Sequence, residues 1–231
     1  MLKKINRIIL NYKNKNSEIK KNLNDIHSLE LFKNYLPEYI PWTRCSIRPR
    51  ALALILNEII IHKRKSVLEF GSGISTILLS RFAKEYKFKL VSIESDLNWM
   101  GIVKSNIDSK NKNITIIHAP IKNLKLDEKK YNWYCIDTIK NHLNDDKLDV
   151  MIVDGPSGKL NDLARYPALP IMQKYFDDDY SIFLDDIHRL QEKRIAQDWV
   201  DKFSLDYKEY KYQGDIGILR PKNTTSKYDI I

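Results

Sequence analysis

The hydrophobic pattern of this chain changes character near residue 65. Before it, apolar residues recur three and four apart among Lys and Asn: Leu2, Ile5, Ile9 and Tyr12, then Ile19, Leu23 and Ile26. That spacing predicts amphipathic helix over residues 1–35, in two pieces broken near Asn14 to Ser17. Residues 36–49 hold Pro37, Pro41 and Pro49 around Trp42, too much proline for a helix and no alternation for a strand, so they read as an ordered loop. Pro49 suits the first turn of a helix over 50–63.

From Ser66 onward short β-rich apolar runs alternate with helical stretches. Strand candidates are 66–70, 89–93, 114–118, 149–153 and 180–184; between and after them lie helices over 75–86, 97–109, 160–175 and 187–203. A continuous apolar run such as Val150-Met151-Ile152-Val153 is what a strand covered on both faces requires. The alternation predicts an α/β fold, a doubly wound Rossmann-like sheet. Two more strand patterns, 207–212 and 216–220, flank Gln213-Gly214-Asp215 and predict a terminal antiparallel hairpin. Asp177-Asp178-Asp179 reads as a solvated turn before its strand. The expected organisation is a basic helical extension and loop over 1–48, one α/β domain over 49–222 and a tail over 223–231.

Composition narrows the classes. At 43% hydrophobic, the 231 residues can bury a substantial core. Cys45 and Cys135 stand far apart without a CxxC or a Cys/His cluster, which leaves a disulfide scaffold and a zinc site unsupported. No apolar run is long enough to span a bilayer, and the expectation is a soluble cytoplasmic protein without a signal peptide. The net charge of +9 is uneven: residues 1–65 hold 14 Lys/Arg against 5 Asp/Glu, and the remainder holds 25 of each. A nucleic-acid enzyme is expected to carry a basic stripe beside its pocket, so the balanced remainder argues against a nucleic-acid partner. The plain reading of the extension is a solvated basic helix face; as a functional element it would cap the site or join two copies in a homodimer.

The sharpest chemical feature is Glu69-Phe70-Gly71-Ser72-Gly73-Ile74-Ser75-Thr76, a strand entering a glycine turn and then a helix. Such a turn lets a ligand approach backbone and meet helix N-terminal NH groups. Thr76 stands where a nicotinamide-binding GxGxxG would have its third glycine, and Glu69 would repel a pyrophosphate while suiting an ammonium group. A merely structural strand-to-helix turn explains the same glycines. Glu94 ends the next strand, where an α/β sheet binds ligands, and a carboxylate there can accept both ribose hydroxyls.

These residues resemble the class I S-adenosylmethionine-dependent methyltransferases, over about residues 50–220. The resemblance implies a seven-stranded sheet with an antiparallel last strand. It also implies S-adenosylmethionine held by Glu69, Gly71, Ser72, Gly73, Ser75 and Asp154, with Glu94 at the ribose and Ala119, in His118-Ala119-Pro120, beside the adenine. Ser75 replaces a glycine frequent in the family, and its hydroxyl can bond the methionine carboxylate.

A third constellation follows the fourth and fifth strands: Asp154-Gly155-Pro156-Ser157-Gly158 and Asp185-Asp186-Ile187-His188-Arg189. Three carboxylates in one crevice need a cation, protons or basic side chains beside them. The arrangement is similar to the metal-dependent catechol-type O-methyltransferases, which implies Mg at Asp154, Asp185 and Asp186. Where that family has a lysine base this chain has Ser157, with Lys159 beyond, so His188 becomes the base candidate, with Asp154 as second catalytic residue. The structural alternative is that Asp185-Asp186 caps a helix and pairs with Arg189. Asp154 to Gly158 with Ala164-Arg165-Tyr166 also resembles glucuronoxylan methyltransferases, implying a sugar hydroxyl as acceptor. Of the tryptophans, Trp42 is expected to line the pocket, Trp99 to pack its helix, and Trp133 and Trp199 to be core. The implied activity is methyl transfer to an oxygen of a small molecule or saccharide; the rivals are an RNA methyltransferase and a non-catalytic interaction protein docking on an acidic partner or anionic membrane.

Overall fold

The computed structural model describes residues 2–36, 39–143 and 147–224, with side chains from residue 15 onward. Its strands are β1 (Ser66–Phe70), β2 (Lys89–Glu94), β3 (Ile114–His118), β4 (Ile121–Leu126), β5 (Lys129–Tyr134), β6 (Leu148–Val153), β7 (Phe176–Leu184), β8 (Leu205–Tyr210) and β9 (Ile216–Pro221). The helices are α1 (Leu2–Phe32), α2 (Pro49–Ile61), α3 (Ile74–Ala83), α4 (Leu97–Ser105), α5 (Ile136–Lys140), α6 (Ala168–Met172) and α7 (Leu190–Phe203). Seven strands form one sheet in the order β3-β2-β1-β6-β7-β9-β8. β9 runs antiparallel to both its neighbours, and the others pair in parallel. The expected doubly wound sheet with its terminal hairpin is therefore the observed one.

Alternate side chains of each strand enter different cores. Val67, Leu90, Val150, Ile152 and Phe183 pack with Leu52, Ile55 and Leu78 of α2 and α3. Leu68, Phe70, Ile93, Met151 and Val153 pack with Trp133, Leu169 and Trp199. A strand that feeds two cores cannot afford a polar face, which is why the runs are continuously apolar. Among the described residues no helix is long and apolar enough to cross a membrane.

Several boundaries depart from the sequence reading. α1 is a single helix through the stretch read as a break: Asn14 to Ser17 contains neither proline nor glycine, and Lys and Asn cost a helix only tenths of a kcal/mol each. The antiparallel pair β4–β5 is absent from the sequence reading, because Lys122 and Lys129 share a face with Leu124, Leu126, Tyr131 and Trp133 while Ile121 and Tyr134 fall on the other, so no clean apolar–polar alternation marks either strand. Most of 160–175 is turns, with a short α6 and a 3-10 turn at Gln173–Tyr175, since Pro167 keeps a helix from running through from 160 and α6 begins only after it, with Pro170 in its first turn. β7 begins at Phe176 and so includes Asp177 to Asp179, and α7 starts at Leu190 rather than Ile187. Of the predicted tail, residues 225–231 lie outside the described residues, as do Pro37 and Glu38 of the loop.

α1 docks with its polar side inward. Lys21 Nζ pairs with Asp215 at 2.6 Å, Arg48 with Asp25 at 2.6 Å, and Ser28 and Phe32 are buried. Ile19, Leu23 and Ile26 face outward, 48%, 60% and 62% exposed. The turn between β8 and β9 lies so close to α2 that a Cβ on Gly214 would meet Ala51 at 2.5–2.7 Å.

Candidate functional site

The carboxyl ends of β1, β2 and β6 form the floor of a cavity of about 930 Å³. Two close approaches make that floor. Gly71, at φ +93°, donates its NH to the Ile93 carbonyl at 2.9 Å, and a Cβ there would press on Asp154 backbone at 3.1–3.2 Å. Gly155 faces it, and a Cβ on Gly155 would collide with the Tyr134 hydroxyl. The third glycine differs: Gly73 has an extended backbone, and a Cβ there would meet nothing within 4 Å. Its missing side chain leaves room in the cavity that no protein atom uses.

Glu69 is wholly buried beneath the turn instead of lining the cavity. Its Oε2 accepts from the hydroxyls of Thr76 and Ser92, both at 2.5 Å. Ser92 lies 2.8 Å from the Ser72 hydroxyl, and Thr76 Oγ1 accepts the Gly73 NH at 2.9 Å. The carboxyl thus holds the turn's shape from below. Burial pushes its pKa up, against the hydroxyl donors that oppose the shift.

Glu94 does reach the cavity, at 7% exposure, with Oε1 accepting the NH groups of Ser95 at 2.6 Å and Asp96 at 2.8 Å. Burial raises its pKa, and those backbone NH groups pull the other way. Asp96 caps α4 by accepting from Asn98 and Trp99 NH. The cap fixes Trp99, whose indole NH donates to the Ser72 carbonyl at 2.8 Å and whose ring lines the cavity.

Asp154, Asp185 and Asp186 converge as expected, with one carboxylate oxygen of each within 4.8 Å of the others. Between them sits Arg165, 3% exposed. Its Nη2 donates to Asp154 Oδ1 at 3.1 Å, to the Asp154 carbonyl at 2.9 Å and to Asp186 Oδ2 at 2.9 Å; Nη1 donates to the Asp185 carbonyl at 3.0 Å. Arg189 pairs with Asp186 from the solvent side at 2.8 Å. Burial and then the Asp186 charge push the Asp185 carboxyl up to about 7, although Arg165 opposes both. Asp154 is raised well above the usual range, by burial first and then by Asp185. The two carboxyls thus retain a proton into the neutral range.

Of the residues expected to bind cofactor, Gly71, Ser72, Gly73, Ser75, Glu94 and Asp154 line the cavity, while Glu69 and Ala119 do not. Ala119 is buried, its NH bonded to the Glu94 carbonyl at 2.7 Å. Asp186 lines the cavity and Asp185 lies behind it. His188 is exposed in the turn before α7 and does not line the cavity. The Asp186–Arg189 pairing is observed, whereas the capping of α7 by the acids is not. Trp42 stays 40% exposed outside the wall, and its neighbours Thr43, Cys45, Ser46 and Ile47 line it instead. Trp133 and Trp199 are core. Sequence reading missed Tyr134, Trp99 and Glu192 as lining residues and the role of Arg165. The capping Asp96 could have drawn attention to Trp99.

No protein-family model matches the chain, and no curated protein matches it either. Solved structures do. An SAH-bound methyltransferase, PaMTH1 of Podospora anserina, aligns with a TM-score of 0.59 at 12% identity, covering 87% of this chain and 88% of its own. The fold is that of the class I methyltransferases. An O-methyltransferase from Bacillus cereus in complex with SAH gives 0.51 at 16% identity, with 85% and 89% covered. The METTL16 methyltransferase domain gives 0.55 at 18%, with 93% and 82% covered. In this methyltransferase fold the cavity lies outside the carboxyl ends of the strands, where an open α/β sheet binds its ligand.

Proposed function

We propose that the protein transfers the sulfonium methyl of S-adenosylmethionine to an oxygen of a small molecule or saccharide. The observation that carries this reading is the open space over Gly73, which lines the cavity: no protein atom would meet a side chain there, and beyond the N-cap role that suits a glycine, that space admits a ligand lying against the turn. Glu94 at the neighbouring strand end supports it as a ribose-hydroxyl acceptor. A volume of about 930 Å³ has room for a nucleoside-sized donor with an acceptor beside it.

The acceptor end is bounded by Ser157 to Lys159 and Arg189 to Glu192, with Thr43 to Ile47 contributing from the loop after α1. Residues 1–48 therefore serve as a cap through that loop. Hydroxyl, amide and carboxyl groups at Thr43, Ser157, Gln191 and Asp186 suit a polyhydroxylated acceptor. The lining charges, Glu94, Asp154, Asp186 and Glu192 against Lys159, Arg165 and Arg189, disfavour a phosphate backbone, because both arginines are already engaged by acids. Catalysis by this wall is chiefly positioning of oxygen and methyl in line. The acceptor proton passes to the Asp154–Asp185 pair once that pair has released the proton that burial holds on it, and the raised pKa makes the ionised pair a stronger base than an ordinary carboxylate.

The acids do not fit a resident Mg. A guanidinium that cannot lose its charge already occupies the space between them and bonds two of their three carboxylates. Calorimetry with S-adenosylmethionine and SAH tests the reading, followed by labelled-methyl transfer to phenol and sugar panels. Absence of binding at millimolar ligand by folded protein removes it, and transfer to RNA alone replaces the small acceptor.

A further inference from the structure

We propose that Arg165 is the permanent internal cation of the Asp154–Asp185–Asp186 cluster, that it stands in place of a divalent ion, and that removing it would turn the cluster into a metal site. The inference rests on the geometry of one side chain and holds whatever acceptor the cavity takes.

A single guanidinium makes four hydrogen bonds here, two to carboxylate oxygens and two to the carbonyls of Asp154 and Asp185. It therefore ties together the ends of β6 and β7, the two strands whose following loops carry the acids. Asp186 sits in the left-handed region at φ +62°, and its Oδ2 takes both Arg165 and Arg189. An aspartate tolerates that conformation better than most residues.

Arg165 is not free to swing aside. Leu163, Ala164 and Tyr166 around it are buried at 3%, 1% and 8% exposure. The Tyr166 carbonyl accepts the indole NH of the core Trp199 at 3.0 Å, and the Tyr166 NH bonds to the Leu163 carbonyl at 2.9 Å. Glu192 closes the far side, 4.0 Å from Arg165 Nε. For a divalent ion to enter, it must displace a fixed positive charge or sit against it. The protein has thus neutralised its acid cluster with a group that needs no metal supply and no deprotonation on loading.

The test is a Mn²⁺ titration of the full-length protein followed by electron paramagnetic resonance, on wild type, Arg165→Met and Arg165→Met/Asp186→Asn. Wild type is expected to show no saturable site up to millimolar Mn²⁺. Arg165→Met, with only Arg189 on Asp186 left to offset three acids, is expected to gain one site with affinity higher by about tenfold or more, which the added Asp186→Asn change weakens again. If Arg165→Met is too unstable for titration, added Mn²⁺ should raise its Tm while leaving that of wild type unmoved. A stoichiometric Mn²⁺ site in wild type lost on Asp186→Asn overturns the proposal, as does an Arg165→Met variant that neither binds nor is stabilised by the ion. S-adenosylmethionine binding is measured on the same wild-type sample: its failure would remove the proposed function and leave the cation assignment standing.

Discussion

At the scale of single residues, the three glycines of the cavity floor separate into two kinds. Gly71 and Gly155 are demanded by backbone approach, and any side chain there disturbs the contact between β1 and β6. Gly73 stands in open space. Gly73→Ala should therefore leave the melting temperature near wild type while weakening S-adenosylmethionine binding in calorimetry; a large loss of Tm with intact affinity would mean the glycine serves the fold. Glu94→Ala should cost about 1.5–3 kcal/mol of cofactor affinity, the worth of a hydrogen bond to a charged group, and unchanged binding would move the ribose elsewhere. Glu69 shows how sequence position can mislead about contact. Its place before the glycines suggested a ligand, yet the structure uses its carboxyl to hold Thr76 and Ser92 under the turn. Glu69 and Glu94 lie on the same face of the sheet, since Glu69 pairs with Ser92, but Glu69 is covered by the turn and the start of α3 while Glu94, two residues further along at its strand end, reaches the cleft.

At the scale of elements, α1 carries the main surprise. The apolar spacing of Ile19, Leu23 and Ile26 was legible, but a periodic stripe does not say which way it faces. Lys21, Asn24 and Asp25 find partners in Asp215, the Tyr212 carbonyl, Arg48 and the Arg50 NH, and those contacts turn the stripe to solvent. Deleting residues 1–35 should thus lower the Tm, because Phe32 leaves a buried site worth about 1.5–3 kcal/mol. At this chain length that amounts to roughly 2–4 °C per kcal/mol. An unchanged melting curve would make the helix an appendage, as its composition first suggested. The expectation of a homodimer now rests on the outward stripe alone; light scattering should show a smaller mass for Leu23→Glu than for wild type, and a monomeric wild type ends that reading. The β4–β5 pair and the turns over 158–167 differ in local cause but share a position in the fold. Both lie outside the regular strand–helix alternation, and Tyr134 and Arg165 come from them.

At the scale of the whole molecule, the buried acids set a pH dependence whose sign follows from their direction of shift. A carboxyl near 4 in the unfolded chain and about 7 for Asp185 in the folded one means that between those values the native state holds a proton the unfolded state releases. Stability contributed by this group is present at low pH and is lost as pH rises through that window. Asp185→Asn should flatten the fall in Tm between about pH 5 and pH 8; the Arg165 bond to the Asp185 carbonyl survives the change. An equally steep fall in the variant would place the titration elsewhere. The sheet is legible in the residue pattern alone, because strands covered on both faces must be continuously apolar and their helices must follow in alternation. The same pattern determines that Gly71 to Gly73, Glu94, Asp154 and Asp186 share one end of that sheet, since parallel strands present all their carboxyl ends on the same side. Which groups neutralise the acids, and which side chains reach the cavity, is settled by packing in three dimensions. Arg165 meets Asp186 across 21 positions of chain and Trp99 meets Ser72 across 27, and such contacts depend on how loops fold back over the strand ends, where no periodicity constrains them.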